Sequence, residues 1–409
     1  MRLLILILIL LAFDGYAFMA IRTLVQDWQP TIRYALYGIY WAVPVLLLVW
    51  MQGGDAGWFE GWSKSTVTVV RTLFFILYIS KMLVAAVVLI DDLRRLIGWS
   101  AAQLGSGAKF STGRSRFLAQ LGLMLGSVPF FSLIYGMVRN PYRYQLFKET
   151  VRIPGLPAAL EGLKIVQISD IHSGSFLHRE PVRNAVDLIN AQEPDLVFFT
   201  GDLVNNKAEE AQPFVEVFDK INARFGAYSV LGNHDYGDYV RWGSAPEKEA
   251  NMDLLKDIHR RIGWDLLLNE HRSVDVNGAK VAVIGVENYS THPRFPKYGD
   301  LRQATAGLES ADLKLLLSHD PSHWKGEVTN DFKDIAITFS GHTHGMQFGV
   351  EIPGWIKWSP IKYVYRQWAG LYQSGQQFLY VNRGLGYLGY PGRVGILPEV
   401  TLIELQREA

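Results

Sequence analysis

There is no cysteine among the 409 residues, which excludes disulfides, thiolate metal sites and cysteine nucleophiles and leaves the redox compartment open. Any metal held by this chain must be held by His, Asp, Glu or Asn. Net charge is almost absent: 40 Lys and Arg stand against 39 Asp and Glu, a formal +1. That gives no electrostatic footprint for nucleic acid, and no such partner is expected. Histidine is scarce, at ten residues, so the pair His342 and His344 in "FSGHTHGMQFG" (339–349) needs a reason. A polar turn after a strand is the plain one. A metal site is the sharper one.

Apolar residues are not scarce, and they are unevenly spread. Four stretches, from Leu3 to Ile21, Ile32 to Met51, Val67 to Ile90 and Phe117 to Val138, each approach the ~20 residues a helix needs to cross a bilayer. Interruptions are few: Asp14 in the first, Arg71 and Lys81 in the third. Trp28, Trp50, Trp58 and Trp62 cluster near their ends, as interfacial belts do. A cleavable signal peptide accounts only for the first stretch, and Ala17 to Ala20 makes a poor cleavage site. The expected organisation is a transmembrane region over 1–140 with helices at about 3–21, 32–51, 67–90 and 117–138, a linker over 141–160, and a second domain over 161–409.

Loop charge bears on orientation. The segment from Asp91 to Arg116 carries Arg94, Arg95, Lys109, Arg114 and Arg116, and short basic loops stay cytoplasmic. This places everything after Val138 outside the cytoplasm. Arg139, Arg143, Lys148 and Arg152 pull the other way, and Arg2 favours a cytoplasmic N-terminus. The short loop carries more weight, so a multi-pass membrane protein with its C-terminal domain on the extracytoplasmic side is expected.

From about Val151 the pattern changes to short apolar runs. "LKIVQIS" (163–169), "DLVFFT" (195–200), "AYSVLG" (227–232), "LKLLLS" (313–318) and "IAITFS" (335–340) read as buried strands. Helical spacing lies between the first three, from Pro181 to Ala191 and from Pro213 to Arg224. "VDVNGAKVAVIGV" (274–286) alternates around Asn277-Gly278, a type I′ hairpin signal. "FLYVN" (378–382) and "EVTLIEL" (399–405) read as later strands. The expected class is an α/β layered domain with mixed sheets.

The strand ends carry the polar residues. They run into Asp170 and His172, Asp202, Asn233-His234-Asp235, His319, and His342 and His344. Ligands in layered α/β folds sit beyond the carboxyl ends of strands. Mixed oxygen and imidazole donors suit Mn, Fe or Zn rather than calcium. Asp, His, Asp, Asn and four more His are too many for one ion, so two ions sharing a carboxylate fit better. Any one of these motifs occurs by chance; the ordered set does not. His178, His259, His271, His292 and His323 fit no such pattern and read as surface or helix-face residues, although His178 and His323 lie close enough in sequence to line a cleft.

In this order, "DIH", "GDLV", "GNHD", "SHDP" and "SGHTH" resemble the calcineurin-like metallophosphoesterase superfamily, over about Gly162 to Leu405. The tail "VNRGLGYLGYPGRVGILPEVTLIEL" is similar, more narrowly, to membrane-associated bacterial metallophosphoesterases related to UDP-diacylglucosamine pyrophosphohydrolases. The resemblance implies a four-layer αββα sandwich with a dinuclear centre, manganese favoured. By motif position, Asp170, His172 and His344 hold the first ion, Asn233, His319 and His342 the second, and Asp202 bridges them. His234 sits over the scissile phosphate, with Asp235 as its orienting partner. Two cations ~3.5–4 Å apart then activate a bridging water as hydroxide for in-line attack.

Two further features are weighed. Arg383 or Arg393 could grip a second phosphate or be structural. "FGVEIPGWIKWSPIKYVYRQW" (348–368) carries three Trp among Lys357, Lys362 and Arg366, and reads either as an interfacial lip for a lipid-linked phosphate or as a packed loop over the site. The expectation is a membrane-anchored phosphohydrolase of phosphoesters or pyrophosphates, acting on a lipid or lipid-linked substrate. The alternatives are a non-enzymatic scaffold, and a sensor or transport protein with a regulatory phosphoesterase-like domain, for which Arg71 and Lys81 inside a span would speak.

Overall fold

Long apolar runs with few breakers leave the N-terminal chain no better option than helix, where every backbone group is satisfied internally. The computed structural model describes residues 2–103, 112–308, 310–352 and 354–408, so Lys109 lies outside it. Helices α1 (Arg2–Val25), α2 (Pro30–Asp55), α3 (Lys64–Gln103) and most of α4 (Thr112–Arg139) form one unit, which ends at Tyr135; the last turn of α4 belongs to the second unit. All four are long and apolar enough to cross a membrane. Pro30 opens α2, where its missing N–H is not needed.

The third helix runs on past Ile90 to Gln103, so Arg94 and Arg95 sit on a helix rather than in a loop. There they pair with Asp91 at 2.6 Å and Asp92 at 3.5 Å. Lys81 meets Asp14 of α1: its Nζ lies 2.5 Å from Oδ1. The Tyr78 hydroxyl donates to Asp14 Oδ2 at 2.8 Å, and the Tyr40 hydroxyl donates to the Asp14 carbonyl at 2.7 Å. Arg71 is exposed near the start of α3.

The second unit, from Gly136, is built on two six-stranded sheets. The first contains β1 (Gln145–Ile153), β2 (Lys164–Ile168), β3 (Leu196–Phe199), β4 (Ala227–Ser229), β5 (Trp264–Leu266) and β14 (Glu399–Arg407), in the order β1-β14-β2-β3-β4-β5. The second contains β6 (Glu270–Val276), β7 (Ala279–Gly285), β8 (Leu313–Leu317), β9 (Ile337–Ser340), β12 (Gly370–Ser374) and β13 (Gln377–Val381), in the order β12-β13-β9-β8-β7-β6. A separate two-stranded ribbon pairs β10 (Val350–Ile352) with β11 (Ile356–Trp358). The inner strands pair in parallel and are buried on both faces, which is why they read as unbroken apolar runs.

The faces between the sheets share one core of Ile165, Phe198, Leu315, Phe339, Tyr380 and Ile403, with the Phe198 and Phe339 rings 4.9 Å apart. Helices α5 (Arg179–Asn190), α6 (Val215–Phe218) and α7 (Ala245–Ile262) cover the outer face of the first sheet, and α8 (Leu301–Thr305) with Trp324 covers that of the second. The architecture is a mixed αββα sandwich preceded by four apolar helices.

Several expectations are corrected. The stretch 141–160, read as a linker, carries β1, which pairs in parallel with β14 over its whole length. Between Pro213 and Arg224 the helix is only the single turn α6 after a 3₁₀ turn at Gln212–Phe214. The long α7 was not anticipated; it is strongly charged on its solvent side and buries only Leu255, Ile258, Ile262 and a few polar neighbours.

Candidate metal centre and active site

Past their last residues, β2 and β3 stay zipped together. The Asp170 N–H donates to the Gly201 carbonyl at 2.8 Å, His172 to the Asp202 carbonyl at 3.0 Å, and Ser173 to Leu203 at 2.9 Å. This brings two of the motifs side by side. Asp170 (φ 50°), His172 (47°), Asp202 (61°), His342 (72°) and His344 (51°) all have left-handed backbone. Each costs of order 1–3 kcal/mol for a residue with a side chain, so the surrounding packing must hold it there. Two glycines let the turns close. At Gly341 a Cβ would lie 1.9 Å from Ser169 Oγ and 2.2 Å from Asp170 Oδ2; at Gly232 it would lie 2.2 Å from Asp202 Oδ1.

The side chains converge on two overlapping clusters, Asp170 with His172 and His344, and Asp170 with Asp202 and His319; within each, the donor atoms lie within 4.8 Å of one another. His172 Nε2 is 3.0 Å from His344 Nε2, and His344 Nε2 is 3.1 Å from Asp170 Oδ1. Asp202 Oδ2 lies 3.5 Å from His172 Nε2 and 3.2 Å from His319 Nε2, so it reaches both clusters. On the far side, His342 Nδ1 and Asn233 Oδ1 are 2.8 Å apart.

The remaining ring and amide atoms fix these orientations. His319 Nδ1 donates to the Thr200 carbonyl at 2.6 Å, which leaves Nε2 for the cleft. Asn233 Nδ2 donates to the Tyr239 hydroxyl at 3.0 Å, turning its oxygen inward. His342 Nε2 lies 2.9 Å from the Tyr365 hydroxyl, which in turn donates to Asp320 Oδ2 at 3.2 Å.

A divalent cation ~2.1 Å from each donor sets donor–donor edges at roughly 3.0–3.5 Å, and the separations here match. His319 Nε2 is buried, and its near polar neighbour is Asp202 Oδ2 at 3.2 Å. The residues therefore fit a metal centre. Burial works against the Asp202 carboxylate, yet His319 and His234 hold it well below the usual range. Burial lowers His319, but Asp202 overcomes this and raises it to about 10. Burial pushes His172 down to about 3, and lowers His342.

His234 opens on the same cleft of about 380 Å³, whose walls include Tyr239, Arg294, Phe295, Ile361 and Leu388. Its Nδ1 donates to the Asn205 carbonyl at 2.7 Å. Asp235 is not its partner: that carboxylate accepts the backbone N–H groups of Asp202, Leu203, Val204 and Gly232. Burial, with the Asp202 charge adding to it, pushes Asp235 up to about 7.

Arg383 and Arg393 do not face the cleft. Arg383 is held by Glu351 and Glu399, each at 2.6 Å, and Arg393 is buried on the carbonyls of Gly384 and Gly386. His178 is exposed just before α5. His323 is buried, with both nitrogens engaged by Ser318 and Glu327. Of the aromatic segment, Trp368 and Tyr365 are buried, whereas Trp355 is 77% and Tyr363 76% exposed. Lys357 turns its ammonium to the Ala369 carbonyl at 2.5 Å. Tyr365, Asp320, Tyr239 and Arg294 were missed; Asp320 follows His319 directly in "SHDP", but nothing local marks the others.

The fold and this constellation define a metallophosphoesterase, and the chain belongs to the calcineurin-like phosphoesterase family. Residues 163–346 match the calcineurin-like phosphoesterase model, and residues 1–141 match that of the "probable calcineurin-like phosphoesterase, transmembrane domain". It is a membrane enzyme. It is 31% identical to the uncharacterised metallophosphoesterase YkuE of Bacillus subtilis, over 66% of this chain and 90% of that one. It is 28% identical to a transmembrane protein with metallophosphoesterase domain of Danio rerio, over 67% of this chain but 60% of that one. It is 25% identical to the UDP-2,3-diacylglucosamine pyrophosphatase LpxG of Chlamydia muridarum, over 64% of this chain and 89% of that one.

Proposed function

We propose that this protein is a membrane-anchored, dinuclear metal-dependent phosphohydrolase that cleaves a phosphoester or pyrophosphate bond of a lipid or lipid-linked substrate. One observation carries the reading: Asp170 belongs to both donor clusters and Asp202 Oδ2 lies between His172 Nε2 and His319 Nε2, so two carboxylates join neighbouring donor sets. Asp170, His172 and His344 would hold one ion, Asn233, His319 and His342 would hold the second, and Asp202 would serve both. Divalent ions bound there, manganese favoured, supply Lewis acidity toward phosphoryl oxygens and lower the pKa of water.

The chain supplies the rest. His234 keeps its Nδ1 proton on the Asn205 carbonyl, so Nε2 is the atom presented to the departing oxygen, to which it gives a proton. Phe295, Ile361 and Leu388 line the cleft beside it and give it an apolar wall. Arg294 on the same wall offers a cation to the substrate's charged portion.

Support for a lipid substrate comes from the β10–β11 ribbon and its flanks, where Phe348, Val350, Ile352, Trp355 and Tyr363 are exposed. Such a surface suits contact with a headgroup layer. The LpxG relative is named for a diacylated substrate, and its likeness favours a substrate that carries acyl chains. We place the catalytic domain on the extracytoplasmic face of a bacterial inner membrane. The test is hydrolysis by the purified full chain in detergent, stripped of metal and reloaded with Mn²⁺, against phosphatidyl, lipid pyrophosphate and nucleotide panels. Turnover of a lipid-linked substrate above the water-soluble ones is expected; no metal-dependent turnover of any phosphate ester would overturn the reading.

A further inference from the structure

Tyr365 has two faces. One lines the metal cleft; the other lines a separate cavity of about 490 Å³ whose polar side chains are Thr291, His292, Ser322, Lys325, Arg366 and Gln367. No carboxylate lines it. Lys325 Nζ donates to the neutral Ser374 Oγ at 2.8 Å, and among the described residues neither Lys325 nor Arg366 is ion-paired. Both residues are exposed at the rim of the cavity, within side-chain reach of its mouth, and two rim cations with no carboxylate beside them attract an anion.

The cavity is built rather than incidental. The Thr291 N–H donates to Ser322 Oγ at 3.0 Å, and the Ser322 N–H to Asp320 Oδ1 at 2.8 Å, tying its rim to the carboxylate behind His342. Lys325 lies on a π-helical turn, Trp324–Val328, a geometry frequent at functional sites. At Gly326 in that turn a Cβ would lie 2.6 Å from Thr291 Cγ2, so the loop closes tightly on it. The His292 ring stands 5.5 Å from that of Tyr365, which stands 5.3 Å from that of His342. Two ring spacings from the metal ligands is beyond the reach of a phosphorus bonded through one oxygen to the scissile one.

We propose that this cavity binds a second anionic group, a phosphate or carboxylate, that the substrate carries several bonds away from the scissile phosphorus. Lys325 and Arg366 are its charged contacts, and Tyr365 is the partition between the two subsites. The inference rests on the phosphohydrolase reading and narrows its substrate class to molecules with two separated anionic groups.

Calorimetric titration of the full chain in detergent with a hexanediol bisphosphate and with hexyl monophosphate tests it. The bisphosphate should bind at least about tenfold more tightly to the wild type, and Lys325→Ala/Arg366→Ala should erase that advantage. Lys325→Gln/Arg366→Gln, closer in size, should do the same. Equal affinity of the two compounds for the wild type, or an advantage that persists in both variants, would overturn the proposal. Because binding is read without turnover, a chain that prefers the bisphosphate yet hydrolyses no phosphate ester would count against the phosphohydrolase reading alone.

Discussion

Asp235 holds the backbone of Asp202: its Oδ2 accepts the Asp202 N–H at 2.8 Å, while Oδ1 accepts that of Leu203, also at 2.8 Å. Asp235→Asn turns one acceptor into a donor facing buried N–H groups, and each group left unpaired costs ~1–3 kcal/mol. Thermal stability and metal content should fall together, with the pH optimum unmoved. A shifted pH–rate profile at unchanged stability would mean that the carboxylate acts through His234 instead.

Metal binding and proton transfer are separable. Asp202→Ala removes a negative donor from both clusters, so metal measured on the purified variant should drop together with activity. His234→Ala should keep its metal while losing on the order of 10²-fold or more in kcat. Full metal in the first variant, or lost metal in the second, would reverse the role assignments.

The exposed ribbon gives a selective expectation. Trp355→Ser with Tyr363→Ser should weaken hydrolysis of a lipid substrate in vesicles several-fold more than hydrolysis of bis(4-nitrophenyl) phosphate. Equal losses on both would make the ribbon structural support for the cleft.

Orientation is read directly by reporters. A C-terminal alkaline phosphatase fusion should be active and a cytoplasmic fluorescent fusion dark. The reverse would put the cleft in contact with cytoplasmic nucleotide-linked precursors.

His259 is buried against Ser229, and burial depresses it to about 3 from its ordinary 6.5. Its native state disfavours the proton, so its contribution is complete above about pH 6.5 and is lost as pH falls toward 3. His259→Phe should flatten that acid limb in thermal melts of the detergent-solubilised chain. An unchanged slope would show that other groups dominate it.

How far the residues alone led can be read from particular elements. The inner strands were legible because burial on both faces makes them continuous apolar runs, and the hairpin because Asn277 (φ 53°) and Gly278 (φ 91°) both take left-handed backbone. Strand β1 was hidden because it is an edge strand with mixed burial, paired only with β14 far along the chain. The donors stood out because each motif is local. Asp235 was misread because adjacency to His234 in sequence says nothing of which way its carboxylate points. Tyr365 was illegible because its partners, His342 and Asp320, are brought to it only by the tertiary fold.

The contact between Asp14 and Lys81 bears on how the N-terminal helices reach lipid at all. A charged residue near the middle of a lone helix carries an insertion penalty of ~2.5–3.5 kcal/mol, and α1 and α3 each bear one, of opposite sign. Their many apolar residues outweigh that penalty, but together each supplies the other's counter-ion and removes it, and the Tyr78 hydroxyl takes up the second carboxylate oxygen. Helix α1 is thus completed by α3. What each helix would carry alone as a cost becomes, in the pair, a specific tie between two segments separated by all of α2.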